Sequence, residues 1–274
     1  MSGPPFRTAI ITGAAGGLGR EYARLLAQKG WCLSVVDIDP AGLDETCDIV
    51  RAAGGKSQPH QLDVTDPDQW QTLRTTLQRD WPKLDLLINS AGVSYSGAFE
   101  TMELSAWRRV LSVNLDGTML GCRTMAPWLI ENPDSGNIIN TASFAAIAQS
   151  PYMAAYNVSK SAVLALSESL YTELKPRVHV TVVCPWFFQS GLLEKGRADA
   201  EWLARIADHL VEISPITAVD VARDAIRAME KRKLHALVTR RGRRMWRIKR
   251  FAPQAFLNLV GRQFANLRKK MEDQ

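Results

Sequence analysis

Two rhythms of apolar residues alternate along this chain. Short, mainly apolar runs fall at 7–12 (RTAIIT), 32–39 (CLSVVDID), 84–89 (LDLLIN), 137–143 (NIINTAS), 178–184 (VHVTVVC) and about 235–239, with a further strand expected at 57–62. Between them apolar residues return every three or four positions. Leu18, Tyr22, Leu25 and Leu26 do so before Gly30, and segments 41–53 and 66–80 follow suit. A longer stretch carries Trp107, Val110, Leu111, Leu115 and Met119, and another runs from Tyr156 through Lys160, Leu164 and Leu170 to Leu174. Runs of the first kind suit buried strands, and the second rhythm suits amphipathic helices. Their strict alternation predicts an α/β fold: a single doubly wound Rossmann-type domain with a parallel sheet.

Such sheets hold ligands beyond the carboxyl ends of their strands. Asp37, Asp63, Asn89, Ser143 and Pro185 all stand at expected strand ends. After the first strand comes a glycine cluster, Gly13, Gly16, Gly17 and Gly19, which opens a helix. Glycines let a backbone approach a pyrophosphate, and a helix N-terminus offers free N–H groups and a positive dipole end. Asp37 lies 24 positions after Gly13, with no Arg or Lys among its immediate neighbours. A carboxylate there accepts both ribose hydroxyls of an adenosine and repels a 2′-phosphate. Asp39 is better placed to cap the helix that Pro40 begins.

Composition adds three points. With 46% hydrophobic and 23% charged residues, the chain can bury a large core. Cys32, Cys47, Cys122 and Cys184 show no CxxC spacing, and three lie in apolar runs, so free thiols in a reducing compartment are expected and no metal. The N-terminus shows no basic segment followed by a long apolar one, and no run of eighteen apolar residues occurs. The expected setting is therefore cytoplasmic.

Charge divides the chain. Residues 231–274 hold 14 basic and 2 acidic side chains, a net +12 within an overall +6, so residues 1–230 carry −6. This sets a basic amphipathic extension, 240–274, apart from a body at 1–239. Past a basic run ending at Arg250, Pro253 starts a helix with Phe256, Leu259, Val260, Phe264 and Leu267 on one side. Contact with an anionic membrane through 240–270, at the inner face of a membrane, suits this mixture. Packing on its own domain or on another subunit suits the apolar stripe too. Nucleic acid is not expected.

The stretch 143–160 carries the candidate chemistry. Tyr156 follows Ser143 by thirteen positions, and Lys160 follows Tyr156 by four, which places Tyr156 and Lys160 on one helix face. An ammonium beside a phenol favours the phenolate. Bringing a free phenol from pH ~10 to neutrality takes about 4 kcal/mol, a contribution expected of one fixed ammonium helped by a second positive group.

These motifs together resemble the classical short-chain dehydrogenase/reductase family over residues 6 to about 239. Thr12-Gly13-Ala14-Ala15-Gly16-Gly17-Leu18-Gly19 matches its TGxxxGxG turn, and Asn89-Ser90-Ala91-Gly92 its NNAG strand end, with Ser90 for the second Asn. Asn114, Ser143, Tyr156 and Lys160 match its catalytic set. The resemblance implies NAD as cofactor, contacted by Gly13, Gly17, Leu18, Gly19, Asp37, Asp63, Val64, Asn89, Ala91, Gly92, Tyr156, Lys160, Pro185, Phe188 and Ser190. It implies hydride transfer between a secondary alcohol and its ketone, with Tyr156 as base and Asn114 ordering a water beside Lys160. It also implies a homodimer or homotetramer, formed through helices around 105–130 and 152–175. Trp186 replaces the glycine usual after Pro185. Segments 93–99, 144–153 and 186–212 supply an apolar, aromatic lining, so a hydrophobic substrate is expected, touching Tyr95, Ser143, Met153 and Trp186. The alternative is a non-catalytic dinucleotide-binding regulator of the same fold.

Overall fold

A computed structural model describes residues 6–189 and 197–272. The chain begins β1 (Thr8–Thr12), α1 (Gly17–Ala27), β2 (Cys32–Asp37), α2 (Pro40–Ala52), β3 (Lys56–Gln61), α3 (Pro67–Asp80) and β4 (Leu86–Asn89). After a short β5 (Tyr95–Ser96) come α4 (Leu104–Leu111), a wide π-helical turn at Ser112–Asp116 and α5 (Gly117–Ile130). Then follow β6 (Gly136–Thr141), α6 (Ala145–Ala148), α7 (Ala154–Glu173), β7 (Val178–Val183), β8 (Arg197–Ala198), α8 (Glu201–Glu212), α9 (Ala218–Glu230) and β9 (His235–Ala236). Two helices close the chain, α10 (Arg240–Phe251) and α11 (Pro253–Glu272).

Seven strands form one parallel sheet in the order β3-β2-β1-β4-β6-β7-β9. The order reverses between β1 and β4, which opens a crevice at their carboxyl ends. Alternation along each strand sends successive side chains to opposite faces. Ile11, Leu86, Ile88 and Ile139 pack under α1, α2 and α9. Ile10, Leu87 and Ile138 pack under α3 and α5, where Trp70, Leu77 and Met125 are fully buried. Edge strand β3 is largely exposed, which accounts for its polar sequence. The expected cap at Asp39 is present, accepting from Gly42 N at 3.2 Å, and Asp66 caps α3 in the same way, accepting from Asp68 N at 2.9 Å.

The C-terminal region differs most from expectation. The last strand is only two residues long, and the basic run is itself a helix, capped by Thr239, which accepts from Gly242 N at 2.8 Å. Of the apolar stripe, Phe256 is buried and Val260, Phe264 and Leu267 are half-buried against the protein's own body, while Leu259 is 47% exposed. Phe264 stacks on Tyr152 at 5.6 Å and meets Trp202 of α8 edge-on at 6.2 Å. Arg268 donates to the Tyr152 hydroxyl at 3.0 Å, and Arg205 donates to the carbonyl of Met271 at 3.0 Å. The stripe is thus mostly spent on packing, since two rings and two charge-assisted bonds hold α11 down. The small parallel pair β5–β8 was not legible in advance.

Truncating Leu86 or Leu87 to Ala is expected to cost about 2–5 kcal/mol in chemical denaturation, because neither site can collapse within a packed sheet. Leu257→Ala, at a side chain 42% exposed, should stay within about 0.5 kcal/mol.

Candidate active site

The crevice is tied together at the glycine turn. Thr12 Oγ1 accepts from Ser90 N at 3.0 Å and Ala91 N at 3.1 Å, joining the ends of β1 and β4. Gly13 has φ +68°, and a Cβ there would lie 2.8 Å from the Ala91 backbone. A Cβ at Gly19 would lie 2.1 Å from the Gly13 carbonyl oxygen, whereas one at Gly16 would meet nothing within 4 Å. Helix α1 has no side-chain cap, unlike α2 and α3, so the N–H groups of Gly17, Leu18 and Gly19 have no partner within the helix. A turn crowded below and open above, with free N–H groups, fits a dinucleotide pyrophosphate.

Asp37 is held rigidly at the end of β2. One carboxylate oxygen accepts from Ala15 N at 3.0 Å, and the other from Ile38 N at 2.8 Å and Asp39 N at 3.2 Å. Arg20, five residues further along the chain, donates to the Ala15 carbonyl, and Glu45 pairs with it at 2.8 Å. Asp63 is exposed and accepts from Thr65 N and Oγ1, while Val64 is buried against Gly117. Asn89 ends β4. Its side chain turns into the interior, donating to Asn140 Oδ1 at 2.8 Å and to Cys122 Sγ at 3.3 Å, so any ligand contact from this residue is left to its main chain.

The side chains expected to do the chemistry converge at the ends of β4 and β6. Asn114 sits in the π-helical turn, fully buried. It grips Val93, accepting from its N–H at 2.8 Å and donating to its carbonyl at 3.0 Å, and also donates to Ser159 Oγ at 3.0 Å. A Cβ on Gly92 would lie 3.1 Å from Asn114 Oδ1 and 3.4 Å from Lys160 Nζ, so glycine there leaves room between the two. Lys160 is 4% exposed and donates to the Thr141 carbonyl at 2.9 Å. Its Nζ lies 5.8 Å from the Tyr156 ring centroid. Ser143 Oγ accepts from Ala145 N at 3.1 Å and lies beside the Tyr156 phenol in the wall of the same cleft.

Burial dominates the electrostatics. It pushes the Tyr156 phenol up to about 12, with the Ser143 hydroxyl opposing, and pushes the Lys160 ammonium down to about 8. Burial thus moves the phenol in the opposite direction to the one the spacing suggests, while the ammonium is engaged with the Thr141 carbonyl.

Above Ser143 and Tyr156 opens a largely apolar cleft with about 1030 Å³ of free space, its open mouth included. Phe144, Ala148, Met153, Pro185, Trp186 and Phe188 line its inner part. Trp186 leans on Phe144 at 4.3 Å between ring centroids, and Arg241 of α10 lies over its other side at 5.5 Å. Tyr95 does not line the cleft. It is 3% exposed, packs with Val110 and Ala155, and donates its hydroxyl to Asp199. Ser190 lies outside the described residues. The outer wall holds the residues that sequence reasoning missed: Met245 of α10 and Val260, Gln263, Phe264 and Leu267 of α11. Their helical stripe was visible, but not what it covered.

A sequence model of the short chain dehydrogenase family matches residues 7–201. The chain belongs to that family. Among solved structures, this short chain dehydrogenase resembles a short chain dehydrogenase/reductase from Burkholderia phymatum in complex with NAD. That likeness has a TM-score of 0.85 and 30% identity, covering 93% of this chain and 96% of the other. A Sphingobium yanoikuyae short-chain dehydrogenase in complex with NADPH gives 0.78 and 25%, covering 92% and 95%. The curated relative named probable oxidoreductase EphD, from Mycobacterium tuberculosis, is 33% identical over 67% of this chain; the chain spans only 31% of that relative's length. Helices α10 and α11 lie beyond the family match, so part of the cleft wall lies outside the matched region.

The depressed Lys160 has a consequence for stability. Between pH 8 and 10.5 the unfolded chain holds this proton and the folded one has lost it, so stability rises with pH across that window. Nucleotide-free Lys160→Met is expected to be more stable than wild type at neutral pH by roughly 1–3 kcal/mol, with the gain shrinking as the pH climbs. Urea denaturation at both ends of the window checks this, and a variant less stable at every pH would contradict it.

Proposed function

We propose that this protein is an NAD-dependent oxidoreductase interconverting a hydrophobic secondary alcohol and its ketone. The observation that carries the proposal is the placement of Ser143 and Tyr156 on the floor of an apolar cleft, beside the buried Lys160 and the glycine turn. NAD, when bound, supplies the hydride acceptor and a cationic ring. Tyr156 removes the hydroxyl proton of the alcohol, or returns it to the ketone oxygen, as general base and acid. Ser143 Oγ holds that oxygen against the phenol. Lys160 offsets the phenolate charge, and Asn114 supports the proton path from the far side of Gly92. The backbone from Gly17 to Gly19 holds the pyrophosphate.

Asp37 selects NAD. Its carboxylate would repel a 2′-phosphate, and Arg20, which bonds the same turn at the Ala15 carbonyl, is already paired with Glu45. Aromatic and aliphatic walls with few polar groups select an extended apolar substrate. The protein associates as a homodimer or homotetramer through α4, α5 and α7, beside which Phe99, Leu104 and Val158 leave apolar surface exposed.

Tyr156→Phe is expected to bind NAD within severalfold of wild type and to lose at least about a hundredfold in turnover of lipophilic secondary alcohols. The wild-type kcat/KM should favour NAD over NADP, and Asp37→Ala should narrow that ratio. Near-native turnover by the phenylalanine variant would remove Tyr156 from its role. Equal use of NADP by wild type would overturn the cofactor assignment.

A further inference from the structure

We infer that the exposed side of α10, continued onto the start of α11, docks on an anionic lipid bilayer and carries the mouth of the cleft to it. Helix α10 is divided by its own periodicity. Gly242, Met245, Trp246 and Lys249 recur at helical spacing and are buried or half-buried. Arg240, Arg244, Arg247, Ile248 and Phe251 recur at the same spacing on the other side, all exposed. Phe251 is 87% exposed, and just past the corner with α11 Leu257 and Leu259 are 42% and 47% exposed.

The charge on this face is uncompensated. Helix α10 holds seven Lys or Arg and no acid. Among the described residues none of those cations has a carboxylate partner. Like charges one turn apart, such as Arg240 and Arg244, repel each other unless an anionic partner intervenes. Cations interleaved with exposed Phe, Ile and Leu match a bilayer, whose headgroups supply negative charge and whose acyl boundary takes the apolar tips. Nucleic acid would answer the cations but leave Phe251, Leu257 and Leu259 in water. A second copy meeting this face symmetrically would present the same cations.

The position of the face adds a consequence. Leu259 lies one helical turn before Gln263, which is exposed and lines the cleft mouth. A face seated on lipid at Leu259 therefore holds the entrance close to the acyl boundary, where a lipophilic substrate partitions.

Co-sedimentation of the full-length protein with phosphatidylcholine vesicles, with and without phosphatidylserine, tests the inference. Wild type should bind only the phosphatidylserine-containing vesicles. The triple variant Arg240→Ala, Arg244→Ala, Arg247→Ala should lose about a hundredfold in that binding. Phe251→Ser should lose severalfold, with thermal stability unchanged in both. Three results would overturn the inference: no vesicle binding by wild type, undiminished binding by the triple variant, or tighter binding to duplex DNA that ignores Phe251→Ser. Arginine replacements that abolish self-association in sedimentation velocity, with no vesicle binding in wild type, would assign the face to a second copy instead. Vesicle binding is read without turnover, so its failure leaves the proposed chemistry standing, and failure of the chemistry leaves the docking standing.

Discussion

A buried ammonium, with no carboxylate partner among the described residues, governs this cleft. Lys160 is 4% exposed, and the hydrogen bond that holds it runs to the Thr141 carbonyl. Beside it the Tyr156 phenol is held at about 12 by the same exclusion of water. Each group, alone, is driven toward neutrality. Forming the phenolate next to the ammonium relieves both, because each charge then has a partner in a medium where pairing is worth more than in water. Magnitudes limit how far this goes. Even two unit charges about 4 Å apart at an effective dielectric near 20 gain only ~4 kcal/mol. Bringing a phenol from about 12 to neutrality takes about 7 kcal/mol. On the proposed chemistry the lysine alone does not supply that difference, and the remainder would fall to Ser143, to the substrate oxygen and to the positive charge of a bound cofactor.

The scaffold supports that arrangement by close backbone approach. Glycines 13, 19 and 92 each occupy places where a Cβ would strike the chain or crowd the site. The two halves of the sheet meet there through Thr12, and the candidate nucleotide and proton-handling residues stand on strand ends and on the helices that follow them.

What was legible in the sequence was local. The glycine turn, the strand–helix alternation and the set Ser143, Tyr156, Lys160 rest on short spacings, Asn114 joined them through the family resemblance, and the fold brings the four side chains together. Side-chain direction at strand ends was not legible. Asn89 and Tyr95 stand in the right segments, yet one joins Asn140 and Cys122 and the other Asp199, because interior partners from distant elements compete for them. Desolvation was also hidden: spacing shows that Lys160 is near Tyr156, but not that both lose water. The apolar stripe of α11 announced a buried face without naming its partner. That partner is the cleft itself, whose outer wall is Val260, Phe264 and Leu267. The two terminal helices therefore wall the cleft on one side, and α10 presents on the other cations that have no carboxylate partner among the described residues.

The central claim is that hydride leaves a carbinol carbon seated above Tyr156 for a nicotinamide. The most direct measurement supplies the protein with NAD and a lipophilic secondary alcohol carrying deuterium on that carbon, and reads the nucleotide by mass spectrometry. The account predicts that the deuterium appears on the reduced nicotinamide in proportion to ketone formed. Ketone formed with an unlabelled nucleotide would contradict it.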